Sequence, residues 1–214
     1  MSADRLLELF NRLQDHFGPQ HWWPAETPFE IMVGAVLTQN TNWQNVTKAI
    51  DGLKSLGLLE FHLLDSLPIE ELARLIRPCG YYNLKARRLK NLLSLIRDNY
   101  HGDLELFFDQ EVGDLRQELL AVKGIGPETA DSITLYAAGK PTFVVDTYTL
   151  RILSRHDMIW EDEADYHSVQ EMFMDSLPLD VALFNEYHAL IVRTAKEYCK
   201  KKNRCCEDCP LNGF

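Results

Sequence analysis

Apolar residues recur at three- and four-residue spacing along almost the whole chain. Leu6, Leu7, Phe10 and Leu13 share one face. Ile31, Val33, Ala35 and Val36 open a second segment, followed by Val46, Ile50 and Leu53, and Leu89, Leu92, Leu93 and Ile96 make a further stripe. This period predicts amphipathic helices rather than alternating strands. Gly and Pro punctuate it at Gly18-Pro19, Pro24 to Pro28, Leu67-Pro68, Pro78 to Gly80, Gly102, Gly124 to Pro127, Gly139 to Pro141 and Pro178. The breaks imply about ten short helices with short connections, an ordinary all-α pattern. The clearest strand-like run, Phe143-Val144-Val145, is too short to build a sheet.

Composition adds bounds. The 214 residues are 46% hydrophobic and 25% charged, which is globular and argues against a disordered chain. That length suits one compact body or two small ones. No apolar run approaches the ~20 residues that would span a bilayer, so no membrane partner is expected. The first residues lack the cationic and apolar stretches of an export signal, which makes a cytoplasmic location the expectation. Five cysteines then read as reduced thiols or metal ligands more than as disulfides.

Charge changes the picture less than its total suggests. The net charge of −10 (22 basic against 32 acidic residues) weighs against a simple nucleic-acid binder. Yet Arg77, Lys85, Arg87, Arg88, Lys90 and Arg97 fall in one stretch without an acidic residue, and six more basic residues lie between Arg193 and Arg204, offset only by Glu197. Nine acidic residues, and no Lys or Arg, lie from Asp157 to Glu186. A basic face could meet a polyanion, although charge alone favours ordinary solvated helix faces.

Residues 119–131 carry more specific chemistry. A helix ends, Gly124-Ile125-Gly126 turns tightly after Lys123, and a second helix starts at Pro127. Pro suits a first helical turn because its missing N–H costs nothing there. Glycine permits positive φ and close approach by another backbone. The new helix start offers free N–H groups and a positive dipole end, which can hold a phosphate oxygen without reading sequence. Gly-x-Gly alone fits an ordinary helix connection equally well.

Four ordered motifs make the pattern specific. Leu37-Thr38-Gln39-Asn40-Thr41 comes first, then Gly80-Tyr81-Tyr82-Asn83-Leu84-Lys85-Ala86, then the Gly124 hairpin, then Val144-Val145-Asp146-Thr147. Together they resemble the endonuclease III superfamily, the helix-hairpin-helix base-excision DNA glycosylases, over nearly the whole chain. The resemblance implies an all-α protein of two helical domains flanking a DNA-binding cleft. Residues 27–140 would form a six-helix barrel domain ending in the hairpin, and residues 1–26 with 141–214 a discontinuous helical domain. The implied partner is double-stranded DNA carrying a damaged base, flipped out of the stack and met by a monomer. Gln39, Asn40, Tyr81, Lys123, Gly124, Ile125 and Gly126 would face DNA, with Asn40 and Tyr81 wedged into the vacated duplex.

Asp146 matches the catalytic position. Breaking an N-glycosidic bond develops positive charge on the sugar, which a fixed carboxylate stabilises. Without the motif order, an Asp before Thr would read as a helix N-cap. Bifunctional members carry a lysine two residues beyond the second hairpin glycine, where its amine attacks the sugar. Here that position is Glu128, which cannot form an imine; it is expected to contact the substrate, or else to serve as a first-turn acid facing the helix dipole. A monofunctional glycosylase is therefore expected. The adenine-mismatch branch carries an acid at the position of Ala35, and its absence counts against that branch.

Trp22-Trp23-Pro24 and Trp43 resemble the base pocket of the superfamily's 3-methyladenine DNA glycosylases. An N3-methylated adenine is cationic, so indole faces attract it by ~1–2 kcal/mol when desolvated, and it leaves without a general acid. Interdomain packing is the plainer use of Trp22 and Trp23. The expected function is hydrolysis of alkylated purines such as 3-methyladenine. The rivals are an endonuclease III-type oxidised-pyrimidine glycosylase with abasic-site lyase activity, and a non-catalytic DNA-damage binder.

The superfamily's [4Fe–4S] motif, C-x6-C-x2-C-x5-C, is matched at Cys199, Cys206 and Cys209. Its fourth position would be residue 215, one past Phe214, so truncation is the expectation, with Cys205 or an external ligand as alternatives. Zinc is the runner-up metal. The cluster would order the basic loop Lys200 to Arg204. Cys79 reads as a buried thiol, and His156, His167 and His188 as structural.

Overall fold

The computed structural model describes residues 3–160 and 164–214. It is all-helical, with no strand among the described residues. Twelve α-helices are described: α1 (Ala3–Phe17), α2 (Pro28–Leu37), α3 (Trp43–Ser55), α4 (Phe61–Ser66), α5 (Ile69–Leu75), α6 (Tyr82–Tyr100), α7 (Leu104–Phe108), α8 (Val112–Ala121), α9 (Pro127–Ser132), α10 (Thr147–Arg155), α11 (Tyr166–Ser176) and α12 (Val181–Glu197). A 3₁₀ turn spans Arg77–Cys79, and a π-helical segment, Ile133–Ala137, continues α9. The Phe143 run is extended but unpaired with any strand. Three of the nine acidic positions, Glu161, Asp162 and Glu163, lie outside the described residues.

Many helix starts are written in the local sequence. The Thr27 side chain accepts the Glu30 amide before Pro28, and Asn42, Asp103, Asp165 and Asp180 cap α3, α7, α11 and α12 in the same way.

The chain divides into two compact units, one of Ala25–Lys140 and one joining residues up to Pro24 with Pro141–Phe214. In the first, α2 is the central helix. Phe29, Met32, Val33, Ala35, Val36 and Leu37 are all buried, and α2 packs on α3, α6, α9 and the π-helical segment. Its one acid, Glu30, is held by Lys54 at 2.9 Å and by the Glu26 amide at 2.9 Å. In the second unit α12 plays the central part, packed on α1 and α10. Phe143 is fully buried there, stacked on Phe173 at 3.7 Å and edge-on to Phe184 and Tyr187. The Tyr187 hydroxyl donates to the Leu6 carbonyl at 2.8 Å, joining α12 to α1.

The basic stretch of α6 departs from the expectation of solvated faces. The Lys85 side chain is buried, with its ammonium on the carbonyls of Leu37 and Cys79. Arg88 donates to Gln39, Lys90 donates to the carbonyls of Leu64 and Asp65, and Arg97 pairs with Asp65 and Asp98. Three of the six cations thus serve the fold, while Arg97, exposed in its ion pair, fits the solvated expectation. Helical period alone could not show this, because a long cationic stem crosses an apolar face and delivers its head to a carbonyl.

Phe143→Ala removes the ring on which three other rings of the second unit converge. A loss of about 3–5 kcal/mol is expected from the emptied space, read as a lowered midpoint in denaturant titration.

Candidate functional site

The hairpin is α8, the turn at Lys123 to Gly126, and α9. Asp131 of α9 is fully buried and takes a two-pronged bond from Arg116 of α8, at 2.7 and 3.1 Å. The turn's carbonyls are also taken. The Asn91 amide donates to the Lys123 carbonyl at 2.9 Å, and the Gln39 amide to the Gly124 carbonyl at 3.2 Å and to the Thr129 hydroxyl at 2.9 Å. Internal donors thus satisfy the Lys123, Gly124 and Gly126 carbonyls of the turn. Among the described residues, the Gly124 and Gly126 amides have no acceptor, which leaves an N–H-rich surface suited to an anion.

The two glycines differ. Gly124 has φ +100, and a Cβ there would collide with the Arg88 side chain. Gly126 has an extended φ of −99 and nothing within 4 Å of a would-be Cβ. Positive φ therefore explains Gly124 and not Gly126, contrary to the sequence expectation for both. Ile125 is also corrected in part: its side chain is buried, so only its backbone could meet DNA. Lys123 is exposed, as are Asn40, Tyr81 and Glu128, the last in the first turn of α9. Gln39 is half-buried, and its amide braces the hairpin.

Asp146 is a helix N-cap and more. Its Oδ1 accepts from the Tyr148 amide at 2.9 Å, the Thr149 amide at 2.7 Å and the Thr149 hydroxyl at 3.0 Å, starting α10 with a capping box. Its Oδ2 lies 3.5 Å from His188 Nε2, and the carboxylate is only one-tenth exposed. Burial alone would raise this carboxyl. His188, together with the Thr149 amide and hydroxyl, outweighs burial and holds it below the usual value, so it is ionised at neutral pH. Lys196 lies two turns beyond His188 on α12. Desolvation lowers its ammonium, and the Asp146 charge opposes that. Sequence reasoning missed both residues at this carboxylate; the trace they left is a histidine interrupting the apolar face of α12.

Trp22 and Trp23 are half-buried and meet edge-on at 6.1 Å. Lys196 Nζ lies 5.8 Å from the Trp22 ring, which brings the indoles, Lys196 and Asp146 into one neighbourhood of the second unit. The Trp22 Nε1 is buried without an acceptor among the described residues. Pro24 is exposed, and Trp43, half-buried, starts α3 in the other unit.

Cys199, Cys205, Cys206 and Cys209 line one cavity of about 160 Å³. Arg155 donates to the Cys199 sulfur at 3.1 Å, and Arg151 to the Cys199 carbonyl at 3.0 Å, so the last turns of α10 hold the cysteine loop. Among the described residues no three metal-ligating side chains converge on one point. The donor set, four thiols around one cavity, nevertheless has the chemistry of a thiolate-held group, and Cys205 stands with the three predicted ligands. Cys79 is fully buried, donates to the Asn45 carbonyl at 3.6 Å, and has its thiol pushed up to about 11 by burial, so it is structural.

Residues 33–178 match the HhH-GPD superfamily of base excision DNA repair proteins. The chain is 46% identical over 212 residues, 99% of its length and 96% of the relative's, to a protein of Methanocaldococcus jannaschii provisionally named a DNA repair glycosylase. It is 29% identical to endonuclease III of Thermotoga maritima, over 87% of this chain and 81% of that one. Among solved structures, the 3-methyladenine DNA glycosylase MagIII of H. pylori, bound to 1,N6-ethenoadenine, superposes with a TM-score of 0.78 at 29% identity, covering 92% of this chain and 98% of that one. An endonuclease III–DNA complex shares the fold, with a TM-score of 0.82 at 23% identity over 99% and 94% of the two chains. The chain therefore belongs to this superfamily, as a base excision DNA glycosylase. Among the described residues, no helix is long and apolar enough to cross a membrane.

Gly124→Ala forces positive φ on an L side chain and a collision with Arg88. It should cost about 1–3 kcal/mol in denaturant titration and weaken duplex binding by fluorescence anisotropy. Gly126→Ala should melt as wild type while also weakening binding, since its open space is needed only by an approaching backbone.

Proposed function

We propose that the protein is a monofunctional glycosylase that hydrolyses the N-glycosidic bond of alkylated purines in duplex DNA, 3-methyladenine foremost, acting as a monomer. The observation that carries this reading is the divided Asp146 carboxylate. One oxygen is committed to the α10 cap, and the other is held ionised in a largely desolvated place beside His188. A fixed anion of this kind stabilises a sugar cation and needs no reorganisation to do so. The alkylated base departs with the glycosidic electron pair. Water adds its oxygen to C1′ and releases a proton, leaving an abasic site. Glu128, at the position where bifunctional members carry their amine, offers the sugar no imine.

Lesion choice is read from the aromatic residues. Trp22 and Trp23 supply indole faces suited to a cationic base, and Trp43 of the other unit is a further candidate. The likeness to MagIII, a 3-methyladenine DNA glycosylase, supports the same choice. Asn40 and Tyr81 serve as the duplex wedge, and the hairpin amides hold phosphate. Cys199, Cys206 and Cys209, with Cys205 at the same cavity, would hold a [4Fe–4S] cluster through thiolate bonds, whose contribution is to order the loop Lys200 to Arg204 rather than to react.

Four measurements test this. Mass spectrometry of bases released from methylated genomic DNA should find free 3-methyladenine; release of thymine glycol alone, from oxidised DNA, reverses the lesion assignment. Asp146→Asn keeps a capping oxygen and loses the charge. It should slow base release by about 100-fold or more while sparing duplex affinity, and borohydride should trap no adduct with abasic DNA. Visible absorbance with iron and sulfide assays should report a cluster that Cys206→Ser abolishes; an iron-free, fully folded protein would remove it.

A further inference from the structure

Asn40 and Tyr81 both hold left-handed backbone conformations, with φ +53 and +45, and Tyr81 is 72% exposed. Such φ values are uncommon away from glycine and persist only where the surroundings fix them. The fixing element beneath both is Lys85 of α6, whose side chain is 1% exposed. Its ammonium donates to the Leu37 carbonyl at 2.9 Å and to the Cys79 carbonyl at 2.8 Å. Leu37 ends α2, three residues before Asn40, and Cys79 precedes Tyr81 by two. Cys79 also gives its thiol proton to the Asn45 carbonyl, tying in the first turn of α3 behind Trp43. One turn along α6, Arg88 grips Gln39, which in turn braces Gly124 and Thr129 of the hairpin.

A buried ammonium is expensive, and an apolar side chain of like size would fill the same space at less cost. What a lysine does that a methionine cannot is bond two separate carbonyls at once. We propose that Lys85 is the positioning residue of the duplex-probing surface, its ammonium locking the Asn40 and Tyr81 loops at one separation so that both side chains enter a duplex together. This rests on the wedge reading of Asn40 and Tyr81 given above.

The test uses a duplex with a tetrahydrofuran abasic analogue opposite 2-aminopurine, whose fluorescence rises when a wedge unstacks it. Wild type should raise it, and a variant carrying both Asn40→Ala and Tyr81→Ala should not. Lys85→Met should fall to the level of that double variant, and adding it to the double variant should cause no further loss. Single-turnover base release by Lys85→Met should drop by ~100-fold, the scale expected for an ångström of misplacement, with duplex affinity held within a few-fold by the hairpin. A folded Lys85→Met protein that unstacks the probe as wild type does overturns the inference. If Lys85→Met does not fold, hydrogen exchange in wild type decides. Segments 38–42 and 80–84 must slow together on binding the probe, and one slowing without the other overturns the coupling. A full signal from the double variant, with Lys85 intact, overturns the wedge assignment and the inference with it.

Discussion

The chemistry proposed for this protein depends on how one carboxylate is divided. Asp146 gives Oδ1 to two amides and a hydroxyl at the start of α10, and this fixes where Oδ2 lies. A side chain free to rotate would spend part of any transition-state stabilisation on its own ordering; one already bound as a cap does not. The cap thus supplies preorganisation: the structure shows Asp146 as a cap, and in the proposed function the same group also serves the sugar cation. The same helix carries this order to its other end, where Arg151 and Arg155 hold the cysteine loop.

Polar side chains do similar work elsewhere in the chain. Lys85, Arg88, Gln39 and Asn91 all donate to groups at helix ends or in the turns between helices. Helix packing needs apolar stripes, but the turns between helices present bare carbonyls that apolar contacts cannot satisfy. Directing internal donors at those carbonyls rigidifies the turns. Among the described residues the amides of Gly124 and Gly126 keep no internal acceptor, so the hairpin is braced through its carbonyls and presents its N–H groups. A protein of net charge −10 thereby keeps a locally positive surface at the hairpin.

Much of the fold was legible in the residues. The 3.6-residue period, the Gly and Pro breaks and the Asx or Thr residues before apolar runs specify the helices, because these are local effects of backbone geometry. The hairpin was legible for the same reason. Gly126 was read correctly as a break and given the wrong backbone cause, since Gly-x-Gly does not say which glycine carries positive φ.

The basic stretch of α6 and the histidine of α12 show the limit of that reading. Charge counting placed Lys85 and Arg88 with the solvated cations, and nothing in motif spacing set His188 apart. Their partners, Leu37, Gln39 and Asp146, lie dozens of residues away, and a hydrogen bond is decided by where two distant segments meet. The sequence alone determined the helical architecture, the hairpin and the placement of Asp146 before α10, all of which follow from neighbours along the chain. Only the tertiary structure decided which charges turn inward, because the cost of burying a charge is offset by acceptors that packing alone brings within reach.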